Sequence, residues 1–138
     1  MQWIRPKLVK LSIICTALLT AGLVCRYAYI FIRYKADVAC IKVQSVDLNQ
    51  ISDGRYYGDC NVDFVAAAVR IDISNGRILA VDLIEHHNDR GEAANILPLR
   101  IIEEQRIDVD VVTGATASSK VIQEAAYNAL TGKRTIRR

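Results

Sequence analysis

Along the 138 residues the spacing of apolar positions changes character three times. Residues 8–32 are apolar on every side, broken only by Lys10 and Arg26. A bilayer core asks for about 20 apolar helical residues, so this stretch predicts one uncleaved membrane-spanning helix. Further on, Val69, Ile71 and Ile73 alternate with Arg70, Asp72 and Ser74 at the end of a run that opens at Val62. Asn75-Gly76 follows, and then Leu79, Val81 and Leu83 share one face of residues 78–85. Asn-Gly between two alternating runs predicts a hairpin, because both central residues of its turn need positive φ. Upstream, Ser52-Asp53-Gly54 is a turn signal leading into a short aromatic strand start, Arg55-Tyr56-Tyr57-Gly58. After the polar loop at 86–91 the period lengthens to that of helices. One helix is predicted over 93–105, its regular part starting near Pro98, with Ile101, Ile102 and Gln105 inward. A second runs over 120–130, with Ile122, Ala125, Ala126 and Ala129 at helical spacing and Gly132 as its stop. Strands first and helices after predict an α+β domain with an antiparallel sheet. Residues 37–46 have weak periodicity and read as a strand or a connecting segment.

Charge divides the chain further. The formal +3 is a sum over unlike parts. Residues 1–35 hold six basic groups and no acidic one, whereas 36–132 hold 8 basic and 15 acidic groups, a net of −7. Four further basic groups fall in 133–138. The organisation expected is a membrane anchor at 1–35, a connecting segment at 36–50, one domain at 51–132 and a basic tail at 133–138. An acidic body argues against nucleic-acid binding, which needs clustered positive charge. Basic residues flank the apolar span evenly, so the positive-inside rule leaves its orientation open.

Few residue clusters suggest catalysis. Cys15 and Cys25 lie in the anchor, and Cys40 and Cys60 stand 20 apart with no C-x-x-C spacing. They read as two thiols, with a pair as the alternative if the body is exported. His86 and His87 are adjacent, so on a strand they point to opposite faces, and no metal site is expected.

The informative segment is residues 110–119, Asp110-Val111-Val112-Thr113-Gly114-Ala115-Thr116-Ala117-Ser118-Ser119. It is a turn of small, hydroxyl-bearing residues opening into a helix. Helix N-termini carry unpaired N–H groups and partial positive charge, so they hold phosphate. Gly114 and Ala115 allow close backbone approach, and Thr116, Ser118 and Ser119 add hydroxyls. An ordinary Ser/Thr helix cap is the alternative, although four hydroxyls in seven residues exceed what a cap requires.

Asp110-x-x-Thr113-Gly114-Ala115-Thr116 followed by Ser118-Ser119 resembles the flavinylation motif of the FMN-binding domain family. That family includes flavin-carrying subunits of Rnf-type and sodium-pumping quinone-reductase complexes, and small membrane-anchored proteins. Asp53-Gly54-Arg55-Tyr56-Tyr57-Gly58 resembles its opening D-G-x-Y-x-G. The Asn75-Gly76 hairpin, His86 with Gly91, and Ile101-Ile102-x-x-Gln105 follow in the family's order, so the resemblance covers residues 51–130. It implies FMN, attached through its phosphate to Thr116 by an FMN transferase that uses FAD as donor. It also implies an extracytoplasmic body that exchanges electrons with donor and acceptor proteins. Asp110 would be read by the transferase or orient the loop, while His86 and Gln105 would lie near the flavin, with Tyr56 or Tyr57 available to stack on it. The alternative is an anchored module holding FMN without a covalent bond.

Overall fold

The computed structural model describes residues 4–88 and 91–133, with side chains from Lys7 onward. Asp89, Arg90 and residues 134–138, most of the expected basic tail, lie outside the described residues. The chain forms two compact units, Met1–Ala36 and Asp37–Arg138.

Helix α1, Ile4–Cys40, contains the apolar span and runs into the segment expected as strand or connection. Its most apolar stretch has a mean hydropathy of 2.1. The 25 apolar-rich residues reach about 37 Å, against about 30 Å of bilayer hydrocarbon. Ser12, Thr16 and Thr20 donate their hydroxyls to carbonyls three or four residues back, at 2.8–3.0 Å. The helix thus satisfies its own polar side chains, as a lipid-facing helix must. Tyr27, Phe31 and Tyr34 follow one another at ring separations of 6.5 and 6.4 Å, with the Lys35 ammonium 5.0 Å from the Phe31 ring. Aromatic and basic residues of this kind suit the headgroup layer. Helix α1 is long and apolar enough to cross a membrane.

The second unit is α+β. After a segment without regular structure and a 3₁₀ turn at Leu48–Gln50, three antiparallel strands follow: β1 (Gly54–Val62), β2 (Val65–Ser74) and β3 (Arg77–His87), in the order β1-β2-β3. The β2–β3 hairpin turns at Asn75-Gly76, with φ of 50° and 67°. The Asp53 carboxylate fastens it, accepting from the Asn75 N–H at 2.7 Å and the Ser74 hydroxyl at 2.9 Å. The run expected to start at Val62 is broken by a second hairpin turn at Asp63-Phe64. That turn carries no glycine; Asp63 takes a φ of 46°, a conformation its short polar side chain tolerates.

Strand β2 alternates strictly. Val65, Ala67, Val69, Ile71 and Ile73 are buried, and the residues between them face outward. The outer face is stitched by directly opposed ion pairs, Arg55–Asp72 at 2.9 Å and Arg70–Asp82 at 2.5 Å. The inner face is covered by α2 (Leu97–Glu104) and α3 (Thr116–Thr131). A 3₁₀ turn at Glu92–Ile96 leads into α2, whose regular part carries Pro98 in its first turn. Ile71, Ile78, Leu97, Ile101, Ile107 and Ile122 fill the core, each contributing about 1.5–3 kcal/mol. Helix α3 lies close against β1 through Ala125 and Ala129: a Cβ on Gly58 would stand 2.3 Å from the Ala125 carbonyl and the Ala129 amide nitrogen. Cys60 is buried in β1, Cys40 is exposed at the end of α1, and no disulfide joins them.

Candidate functional site

The site is the junction between residues 110–115 and the first turn of α3. This helix starts at Thr116, four residues before the apolar periodicity becomes clear. Its buried positions are 118, 119, 121–123, 125, 126 and 128–130, leaving Thr116, Lys120, Glu124, Tyr127 and Thr131 on one outward stripe. Thr116 is therefore exposed for the same reason that Ile122 is buried: a 3.6-residue period puts them on opposite faces.

Gly114 takes a φ of 82°, and the Ala115 N–H donates to the Val112 carbonyl at 3.0 Å. This is a tight turn with positive φ at its third residue, where glycine is favoured. It reverses the chain immediately before Thr116. The N-cap position falls to Ala115, and no side chain caps the helix. The helix-cap alternative for the hydroxyl run does not hold.

The hydroxyls divide into two pairs. Thr113 and Thr116 are exposed, whereas Ser118 and Ser119 are 2 % and 0 % exposed and built into the scaffold. Ser119 Oγ accepts the Val112 N–H at 3.0 Å, which locks the turn to the helix. Ser118 packs against Gly91, where a Cβ would meet Ser118 Oγ at 1.8 Å. Both serines were expected beside a ligand; they shape the loop from within instead. Buried Gln123 donates its amide to the Val109 carbonyl and tethers the loop's approach. The sequence reading missed this residue, whose signal was a lone amide on the apolar face of a helix.

Segment 91–100 borders the loop at two points. Gly91 lies on Ser118 at one end, and at the other an Arg100 guanidinium nitrogen stands 3.5 Å from the Asp110 carbonyl. Among the described residues Arg100 meets no carboxylate. The Asp110 side chain is exposed.

His86 sits on the core side of β3, opposite Ala67, and its Nδ1 is 2.7 Å from Asn95 Oδ1. The hydrogen-bond network assigns Nδ1–H as donor there. Its Nε2 is shut from solvent and without a partner among the described residues. Asn88 accepts the Gly91 N–H at 2.9 Å and reaches His86 at 3.4 Å, so His86, Asn88, Gly91 and Ser118 form one contiguous chain to the first turn of α3. His87 is exposed and pairs with Glu85 at 2.9 Å.

Gln105 is placed elsewhere. At φ 54° it ends α2, its Oε1 accepting the Ile78 N–H at 2.9 Å and its Nε2 donating to the Ile78 and Ile102 carbonyls at 3.0 and 2.7 Å. The amide expected at the flavin's polar edge is spent on pinning α2 to the start of β3. Tyr56 donates its hydroxyl to the Ser52 carbonyl at 2.7 Å, and Tyr57 is exposed beside a cleft of about 570 Å³ lined by Gly58, Asp59 and Ile84, remote in sequence from the loop.

An exposed hydroxyl on the first residue of an uncapped 16-residue helix, with an uncommitted guanidinium beside the loop, is a donor set that fits a phosphate group and the flavin nucleotide it carries. The comparisons with known proteins agree. The family model described as FMN-binding domain matches residues 63–131, half of the chain. A crystal structure of a protein from Clostridium perfringens is similar at 26% identity, covering 61% of this chain and 93% of that one, with a TM-score of 0.46. No curated protein matches. From the Asp63 turn through both hairpin strands to the end of α3, the matched span takes in the whole site, and the chain belongs to the FMN-binding domain family, with FMN as its cofactor.

Proposed function

We propose that the chain is a membrane-anchored electron-transfer protein that carries FMN through a phosphoester on Thr116, with its body on the extracytoplasmic side. The observation that carries this reading is the placement of Thr116: exposed, first in α3, directly after the Gly114 turn, with no side chain capping the helix. A transferase using FAD as donor needs an accessible hydroxyl, and the attached phosphodiester needs a place that tolerates its charge. The N–H groups of residues 116–118 supply that place, with a macrodipole interaction of about 0.3–1 kcal/mol. Asp110, Thr113 and Gly114 are exposed on the same loop and form the face a transferase would read. Ser118, Ser119 and Gln123 hold the loop against the core from behind. When bound, FMN supplies the redox chemistry, and the chain supplies binding, orientation and electrostatics. The electron donor and acceptor would be proteins working at the same membrane, and the acidic body suits a basic partner.

The test is co-expression of the full chain with an FMN transferase, followed by denaturing gel electrophoresis and in-gel flavin fluorescence. A fluorescent band is expected for the wild type and for Thr116→Ser, which keeps the hydroxyl, and none for Thr116→Ala. A band that survives Thr116→Ala refutes the attachment site. Flavin released on unfolding, with no band, leaves FMN bound without a covalent link.

A further inference from the structure

Among the described residues of the body, seven large apolar side chains are exposed: Tyr57, Phe64, Leu79, Ile84, Ile96, Leu99 and Val111. The first four lie on the strands or the Asp63-Phe64 turn between them. The last three gather at the loop that carries Thr116. Ile96 and Leu99 are three residues apart at the start of α2, on one helix face and about 5 Å from each other along the axis. They are 41 % and 56 % exposed, although Leu97 and Ile101 of the same helix are sealed in the core. Val111, 41 % exposed, follows Asp110, whose carbonyl meets Arg100, the neighbour of Leu99. Segments 91–100 and 110–118 are joined at Gly91–Ser118 and at Arg100–Asp110. The apolar ridge stands inside that frame.

The geometry points to this ridge as the seat of the isoalloxazine ring of FMN attached at Thr116. The inference rests on that attachment and adds where the ring goes. Tether length argues for it. A phosphoester and a ribityl chain, at about 1.5 Å per bond, reach on the order of 8 Å, and segment 91–100 is about 15 Å long at helical rises. A ring anchored at the Ser118 end of the frame therefore lands within it. Charge argues the same way: Arg100 borders the ridge with no carboxylate partner among the described residues, a cation suited to the phosphodiester or to the ring's polar edge. An apolar planar ring covering Ile96, Leu99 and Val111 removes from water the surface the fold leaves bare. Neither aromatic residue of the opening strand offers a comparable seat, since Tyr56 is bonded to Ser52 and Tyr57 lines a cleft of the sheet.

The test uses the full-length chain in detergent micelles, flavinylated by an FMN transferase, with iodide quenching and polarisation of the flavin fluorescence as readouts. In the wild type the ring is expected to be shielded and its polarisation high. In the double variant Ile96→Ser/Leu99→Ser the quenching constant should rise to that of FMN in solution and the polarisation should fall. Leu79→Ser, an exposed apolar position on β3, should match the wild type. Thermal unfolding of each variant checks that the domain is intact, and Ile96→Thr/Leu99→Thr serves if the serine pair unfolds. Equal quenching in wild type and double variant overturns the seat while leaving the attachment standing. A double variant that folds but takes no flavin, when Leu79→Ser takes it, overturns it too and gives the ridge to the transferase. A wild type without covalent flavin sinks the attachment, and the seat with it.

Discussion

Replacing Gly91 by alanine tests whether the loop is shaped from behind by close packing on α3. The new Cβ would lie 1.8 Å from Ser118 Oγ and 2.6 Å from Ser118 Cβ, both far inside contact distance. Gly91 itself has φ −97° and ψ 16°, open to any residue, so the backbone adds no penalty and the cost is contact alone. Ser118 is 2 % exposed and has no room to retreat. Overpacking of this kind costs about 1–3 kcal/mol, partly offset by about 0.4–1 kcal/mol from the loss of glycine entropy in the unfolded chain. A net destabilisation of about 1–2 kcal/mol lowers the melting temperature of a domain this size by roughly 5–15 °C. The displaced first turn of α3 should also slow flavin loading at Thr116. Ser118→Gly removes both clashing atoms, so the double variant Gly91→Ala/Ser118→Gly should recover most of the loading rate, despite a helix-propensity cost of about 1 kcal/mol. Thermal unfolding by circular dichroism and a time course of in-gel fluorescence provide the two readouts. If Gly91→Ala melts and loads as the wild type does, or if the double variant is worse than the sum of its parts, the packing argument is wrong.

Three further outcomes are expected. Gly58→Ala puts a Cβ 2.3 Å from two backbone atoms of α3 that cannot rotate away; it should cost about 3 kcal/mol or more and appear as loss of dispersed amide signals in NMR. Gln105→Ala abandons three hydrogen bonds and leaves the Ile78 amide and carbonyl unmet; it should destabilise by about 2–4 kcal/mol and leave the absorbance of bound flavin unchanged. Burial raises the Glu124 carboxyl above its ordinary value, against the opposing pull of Lys133. A raised acid binds its proton more tightly when folded, so stability is present at low pH and lost as pH rises through the unfolded value towards the folded one. Glu124→Gln should therefore melt higher than the wild type at pH 7, and the gap should close below about pH 4. A gap that widens in acid would reverse the sign.

Electrostatics also distinguish the two ends of the domain. On the outer sheet face, Arg55 holds the Asp72 carboxyl below the usual carboxylate range through a direct hydrogen bond. Such exposed pairs set strand register more than they stabilise the fold. Beside the flavin loop, by contrast, Arg100 meets only a backbone carbonyl among the described residues. One arginine of the body is spent on the fold and the other is left for a ligand.

The amino-acid sequence by itself determined the features governed by neighbours along the chain. All-round apolarity marked α1, Asn75-Gly76 supplied the positive φ angles of the β2–β3 turn, Pro98 set the start of α2, and Gly132, at φ 68°, stopped α3. The hydroxyl-rich segment was legible too, because its residue types are local chemistry. The polar stripe of Lys120, Glu124 and Tyr127 already implied an outward Thr116, once extended back by one turn. What only the tertiary structure decided was the division of labour among those residues. Ser118 and Ser119 turned inward because α3 buries that face against Gly91 and Val112, which are 27 and 7 residues away in the chain. Gln105 went to Ile78 because the end of α2 happens to meet the start of β3. The Asp63-Phe64 turn went unseen because aspartate there borrows a conformation that sequence signals assign to glycine. Backbone angles and helical periods are set within a few residues, whereas the partner of a hydroxyl or an amide is set by whichever distant segment the packed core brings beside it.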